Sequence, residues 1–428
     1  MARGVLAWVL VGGAAQAAWV STGGMQSPRA DHTATLLRDG RVLVTGGSAG
    51  AALSATEIYD PATGSWDAGP DMAQARYFHT ATALPDGRVI VAGNYAIDST
   101  SEIYNPTTNT WDAGGPLAAW RYQHTATLLP SGQVLVAGGA GGTTPPAQPL
   151  ATAELYDLTT NAWTATGSMP QSRYQHATAL LVDGGVLATG GYNGGFTNTA
   201  ALFNSATGTW AQAAPMGVQR YAHTLTLLPN GTAFAAGGYG SLASTERYDA
   251  AANTWAAAAS MAIGRTQHTA TVLPSGQVLI VGGQSGTTAA TANAVLYDPA
   301  TDTWADAGTM STPRFGHTAT LLPDGRVLVA GGWSYATFAL VPDDTSELYV
   351  PDGVLLDAGM DGGAGPPTDA GGLDAGVGGD AGTGDSGAGD AAAAPALIAD
   401  LSCRCQGGSA GPASLVILLL LAARRARG

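Results

Sequence analysis

The sequence predicts an all-β chain: a β-propeller of seven blades, four antiparallel strands to a blade, followed by a non-globular tail. Three observations carry this prediction. All seven histidines recur at intervals of 45 to 52 residues, each three positions after an arginine. Within each interval the landmark residues keep constant distances, except in one segment. The composition, 45% hydrophobic and 11% charged with 61 glycines in 428 residues, suits strands and turns and not a disordered chain.

The repeat is defined by its phase. His32, His79, His124, His176, His223, His268 and His317 follow Arg29, Arg76, Arg121, Arg173, Arg220, Arg265 and Arg314. From each histidine, 14 residues lead to the first glycine of a pair, which is Gly93-Asn94 in the second unit. Seven residues separate a tyrosine (Phe203 once) from a tryptophan, six more reach a methionine (Leu117 once), and four more reach the next arginine. Only the stretch from glycine pair to tyrosine varies, from 11 residues (Gly237 to Tyr248) to 18 (Gly138 to Tyr156). A repeat of this kind is a supersecondary unit that buries its apolar surface against its neighbours.

Each unit reads as four strands. Strand a follows the histidine, as in His124-Thr-Ala-Thr-Leu-Leu129, and a turn such as Pro323-Asp-Gly-Arg326 leads to strand b, Val327-Leu-Val-Ala330. Strand c carries the tyrosine (Glu57-Ile-Tyr59), and the turn Asp60-Pro-Ala-Thr-Gly64 leads to strand d with Trp66. Short β-forming runs between Asp-Gly and Asp-Pro turns are strand and hairpin signals. The glycine pair is expected to hold left-handed backbone, with Asn94 as the tolerated substitute.

A double glycine, then a separated tyrosine and tryptophan, at a period of roughly 50 residues, resembles the kelch family. The resemblance covers Trp19 to Pro351 and implies a ring of four-stranded blades with strand a innermost. Trp19-Val-Ser-Thr-Gly-Gly-Met25 matches a strand d, whereas the last unit has strand c (Glu347-Leu-Tyr349) and no tryptophan after it. The N-terminal strand is therefore expected to complete the last blade and hide its edge.

In such a meander the b–c and d–a loops share one face. That face carries all the length variation, which places recognition there. Its aromatic candidates are Tyr95, Tyr192, Tyr239, Trp333, Tyr335 and Phe338, with Tyr77, Tyr122, Tyr174 and Tyr221 directly after four of the arginines. The longest loops span Ala140–Thr152 and Trp333–Thr345. The histidines and the strand-d tryptophans, present in phase around the chain, read as structural. For the arginines there are two readings. They tie blades together, or Arg76, Arg121, Arg173, Arg220, Arg265 and Arg314 ring the channel mouth and offer guanidinium groups to a carboxylate, sulfate or acidic peptide. In kelch proteins that bind peptides, arginines at this position and aromatics after the glycines line the binding face, and the resemblance implies the same here.

The function expected is binding of a protein, peptide or glycan, with no catalytic residue, no cofactor and no metal. Copper-radical oxidases share the kelch propeller, but their cofactor needs a cysteine cross-linked to tyrosine, and residues 19–351 contain no cysteine. No His-x-His or HExxH pair appears. The rival readings are an exported carbohydrate enzyme resembling the kelch-type epimerases, and a structural envelope or adhesion protein.

Charge and the chain ends bear on partners and location. The formal net charge is −14 and lysine is absent, so nucleic acid is not an expected partner. Residues 1–18, with Arg3, the apolar run Val5–Val11 and Ala15-Gln16-Ala17, read as a secretory signal. The propeller is assigned to residues 19–351. Residues 352–402, rich in Gly, Ala, Asp and Pro, read as an acidic spacer. Residues 403–428 hold Cys403, Cys405, the apolar run Ala413–Ala423 and a basic end, which resembles the sorting signals of myxobacterial surface proteins. The expectation is an exported, surface-attached or extracellular monomer that meets the membrane only through its tail.

Overall fold

Runs such as Val42-Leu-Val-Thr45 and Val278-Leu-Ile-Val281 have no polar face, and both are buried along their whole length. Successive side chains of a strand point to opposite sides of its sheet. Val42 and Val44 accordingly pack with Leu328, Ala330 and Leu348, while Leu43 packs with Val89 and Tyr104. One strand thus feeds two cores, each lying between neighbouring sheets.

The computed structural model describes residues 17–286, 289–336 and 339–352. The chain divides into two units, Met1–Gly362 and Gly363–Gly428, and every described residue belongs to the first. The expected leader before Ala17, Phe338, the spacer beyond Asp352, and Cys403 and Cys405 lie outside the described residues.

Among the described residues, seven sheets have four antiparallel strands each, and we number them by their first strand. Sheet 1 comprises Thr33–Leu36, Val42–Thr45, Thr56–Asp60 and Ser65–Ala68. Sheet 7 comprises Thr318–Leu321, Val327–Ala330 and Ser346–Val350, and the N-terminal strand Ala18–Thr22 completes it. Trp19 stands opposite Tyr349 with ring centroids 5.3 Å apart, reproducing the Tyr59–Trp66 pair of sheet 1 at 5.1 Å. The first strands of successive sheets are neighbours, and that of sheet 7 lies beside that of sheet 1.

The repeated polar residues hold this arrangement from inside. Each arginine of the Arg-x-x-His motif is at most 1% exposed. Arg29 donates to the carbonyls of Gly46 and Ala55 at 2.8 and 2.9 Å, and pairs with Glu57 at 2.6 Å. Glu57 in turn accepts from the backbone N–H groups of Gln26 and Ser27. Equivalent pairs join Arg76 to Glu102, Arg121 to Glu154, Arg220 to Glu246 and Arg314 to Glu347. The expected guanidinium ring at the mouth is therefore corrected. Arg76, Arg121, Arg173, Arg220, Arg265 and Arg314 are buried, turn their terminal N–H groups to strand-c carboxylates or loop oxygens, and present no guanidinium to a ligand. The physical reason is that a buried cation demands a partner. In sheets 4 and 6, where Ala201 and Val295 replace the glutamate, Arg173 turns to Thr199 Oγ1 and Arg265 to Asn293 Oδ1. Burial without a carboxylate lowers the pKa of both.

The glycine pair and the histidine interlock neighbouring sheets. A Cβ on Gly138 (φ +63°) would lie 2.6 Å from the Arg173 carbonyl oxygen and 2.7 Å from His176 Cε1. The second glycine's N–H bonds the same carbonyl, as from Gly139 to Arg173 and, across the chain ends, from Gly332 to Arg29. Asn94 was expected to share the left-handed conformation of Gly47 (φ +101°) and does not. Its side chain instead bonds the Ala75 carbonyl and the Ala96 N–H, which hold its loop another way. Each histidine is buried, with Nε2 against a threonine hydroxyl of the preceding sheet, as His124 to Thr80 at 3.0 Å. Ala177 begins strand a of sheet 4, so His223 turns to Thr189 of strand b instead.

Candidate functional site

The residue after each arginine meets the residue after each glycine pair. Ala30 bridges Ser48, Tyr174 bridges Tyr192, Thr266 bridges Gln284 and Phe315 bridges Trp333. Trp120–Tyr122 pairs with Ala140–Gly142, and the N–H groups of Tyr95 and Tyr239 donate to the carbonyls of Tyr77 and Tyr221. These bonds put the d–a and b–c loops on one face, as expected from the meander.

One residue closer to the histidine lies a ring that sequence reasoning missed. Asp31, Phe78, Gln123, Gln175, Ala222, Gln267 and Gly316 all hold φ between +50° and +60°. Each backbone N–H donates to the carbonyl of the preceding member, from Phe78 to Asp31 and onward to Gly316 on Gln267. Asp31 then donates to Gly316 at 3.0 Å, and the circle closes. The left-handed backbone is what turns both groups along the circle, and six of the seven positions accept its steric cost with a side chain in place. The only signal in the sequence was that this position varies inside an otherwise constant Arg-x-x-His.

Around the ring stand two aromatic groups. In sheets 2 and 3, Tyr95 stacks on Tyr77 at 5.0 Å and meets Tyr122 edge-on at 4.8 Å, and Tyr122 stacks on Trp120. In sheets 4 and 5, Phe196 stacks on Tyr221 at 4.8 Å and touches Tyr192 and Tyr239, while Tyr221 also stacks on Tyr239. Phe196 is 42% exposed, so this group offers an open ring face to solvent. Burial, then neighbouring phenols, raises the pKa of Tyr77 and Tyr221, so both remain neutral donors.

The loop of sheet 7 leans both ways. Trp333 Nε1 donates to Asp31 Oδ2 of sheet 1 at 2.8 Å, and Tyr335 OH accepts from Gln284 Nε2 of sheet 6 at 2.8 Å. Asp31 is the one charged side chain of the axial ring. Burial pushes its carboxyl up to about 6, and the Trp333 hydrogen bond only partly opposes this.

Residues 28–73, 173–217 and 265–311, which fall in the units of sheets 1, 4 and 6, match the Kelch motif. That match takes in three of the seven units. Comparison with curated protein sequences finds no match. Among solved structures, the chain resembles a fungal alcohol oxidase of the AA5 family in complex with copper, at 18% identity and a TM-score of 0.63. That likeness covers 79% of this chain and 76% of the oxidase. The chain also resembles YjhT, at 16% identity and a TM-score of 0.53, covering 66% of this chain and 98% of YjhT. At these identities the likeness speaks for the fold alone.

Within these seven sheets the predicted site residues divide. Tyr95, Tyr192 and Tyr239 join the two aromatic groups, Trp333 and Tyr335 form the leaning loop, and the arginines lie beneath. Phe196 and Trp120, which the sequence reading passed over, are central to the groups. Among the described residues no group of three His, Cys, Asp or Glu side chains gathers as a metal site. The histidines point their Nε2 atoms into threonine hydroxyls and not toward one another.

Proposed function

We propose that this chain is a seven-bladed recognition module, exported and held at the cell surface by its tail, that binds a protein or peptide across the b–c/d–a face. The observation that carries the reading is the open aromatic group of Tyr192, Phe196, Tyr221 and Tyr239 beside the axial ring. Rigid aromatics supply large contact area at low entropic cost, and such residues anchor interfaces. A kelch propeller supports an interaction module in general, and the loops that vary in length here lie on this same face. The axial glutamines Gln123, Gln175 and Gln267 add amide groups with no side-chain partner among the described residues.

The test is a peptide and glycan array probed with the full chain. Tyr192→Ala and Tyr221→Ala are each expected to weaken a detected peptide interaction at least tenfold, about 1.4 kcal/mol, within the range for aromatic anchors. Unaltered binding by both variants would refute this choice of face, and binding to glycans alone would replace the peptide with a saccharide. Cell-surface labelling of the native chain against Cys403→Ala/Cys405→Ala tests attachment. Equal display would refute the sorting role of the tail.

A further inference from the structure

Sheet 7 lacks the turn that joins strands c and d in the other six sheets. In sheet 1 that turn follows the pair Asp60 opposite Ser65. Its first residue caps the backbone N–H two positions on, as Asp60, Asn105, Asp157, Asn204, Asp249 and Asp298 all do in sheets 1 to 6. Its last residue is left-handed, as Gly64 (φ +67°), Asn161 (φ +51°) and Asp302 (φ +55°), and strand d starts directly after it. Glycine, asparagine and aspartate are the residues at home in that backbone. In sheet 7 the equivalent pair is Val350 opposite Ala18, and no turn joins them. Valine has no group with which to cap. The carboxylate stands two positions on instead, at Asp352, whose Oδ1 accepts from the backbone N–H of Ala17. An acid at the end of strand c thus reaches the start of strand d across a break in the chain.

The break coincides with the expected leader. Ala15-Gln16-Ala17 places small residues one and three positions before the Ala17–Ala18 bond, the pattern after which a leader is cut. A cut there spares the whole of strand Ala18–Thr22 and removes only what stands in the turn's place. It falls one residue before the leader boundary drawn from the sequence, because Ala18 already pairs with Val350.

We propose that a leader peptidase cuts the Ala17–Ala18 bond and that the freed α-ammonium of Ala18 pairs with the Asp352 carboxylate, sealing sheet 7 with an ion pair where the other sheets have a turn. Water adds across the amide. Ala17 leaves with the leader as a carboxylate, and Ala18 keeps the nitrogen as an ammonium. That nitrogen lies one residue, at most about 3.8 Å, from the one that Asp352 already meets. It gains a positive charge and two further N–H donors, and a charge-assisted hydrogen bond is stronger than a neutral one. The strand so fixed ties three sheets together. Trp19 Nε1 donates to the Ala307 carbonyl of sheet 6, and Thr22 Oγ1 meets Tyr59 OH and the Gly64 carbonyl of sheet 1. This inference rests on the export part of the reading above, and it names the bond that export cuts and the group that receives the new terminus.

The chain contains no lysine, so its α-amino group is its only primary amine and an amine reagent reads that group alone. The full chain is expressed in a secreting bacterial host, and the terminus of the recovered protein is read by mass spectrometry. Ala18 is the expected first residue. A retained leader would overturn the export reading together with this one, whereas a cut at any other bond would overturn this one alone. Acetylation of the terminus at pH 7 then tests the pairing. It is expected to run about threefold slower in the native protein than in Asp352→Asn, the half-unit gain in basicity that an exposed ion pair supports. Asp344→Asn makes the same change of charge on another exposed loop and is expected to leave the rate unaltered. Equal rates in the native protein and Asp352→Asn, or the same acceleration in Asp344→Asn, would overturn the ion pair.

Discussion

Seven buried neutral histidines make the stability of this fold steeply dependent on pH. Burial foremost, then neighbouring arginines, holds His32 and His124 at about 3 and keeps His79, His176, His223 and His317 well below the ordinary value. His268 lies at about 3 for the same causes. In the unfolded chain each returns to a pKa of about 6.5. The depressed value belongs to the folded state, so the unfolded chain binds more protons below pH 6.5, and stability is lost as pH falls through that value. At pH 5.5 each unfolded histidine is roughly ten-to-one protonated, which favours unfolding by about 1.4 kcal/mol, and seven of them by about 10 kcal/mol. A domain's whole stability is about 5–15 kcal/mol. Asp31 acts in the opposite sense, because its folded pKa of about 6 lies above the ordinary 3.8, but it returns at most about 3 kcal/mol. The histidines win. Urea unfolding of the full chain, followed by tryptophan fluorescence at pH 7.5, 6.5, 6.0 and 5.5, should show the midpoint collapsing across the last two steps. His124→Asn should reduce the proton uptake on unfolding by about one. A midpoint that stays level from pH 7.5 to 5.5 would refute the reasoning, because the folded histidines would then have to be charging as readily as free ones.

Two further perturbations probe the internal ties. Glu154→Ala removes the carboxylate that pairs with fully buried Arg121 at 2.7 Å and should cost about 3–5 kcal/mol, whereas Asp39→Ala, which breaks the exposed pair with Arg41, should cost under about 1 kcal/mol. Chemical unfolding at pH 8 compares them, and equal costs would mean that the arginine finds other partners as Arg173 does. Gly138→Ala forces a Cβ against the Arg173 carbonyl in left-handed backbone and should cost about 2–5 kcal/mol in the same assay. A neutral result would show that the sheets give way at that contact.

The ease of reading this chain came from repetition. Constant distances from Arg to His, His to glycine pair and Tyr to Trp encode contacts within one sheet, and the sheet registers follow them, with Tyr59 opposite Trp66 and Tyr297 opposite Trp304. The stray Trp19 and the missing tryptophan after Tyr349 made the closing strand legible, and Trp19 and Tyr349 stand opposite one another in the same sheet. Residues that differ between repeats were harder to interpret. The glutamate two positions before the tyrosine stood in plain view in five units, yet nothing in a linear sequence says that it meets the arginine across 26 to 33 residues.

By itself, then, the order of residues determined which segments become strands, how those strands pair, and that two sets of loops share a face. All of these depend on contacts between residues close in the chain or a fixed phase apart. Only the tertiary structure decided that the arginines turn inward, that seven left-handed residues close a hydrogen-bonded circle on the axis, and that Trp333 reaches Asp31 from 302 positions away. Those arrangements exist only once the ring is shut, because shutting it brings the last repeat against the first and sets the low-dielectric interior in which a charge must find its partner.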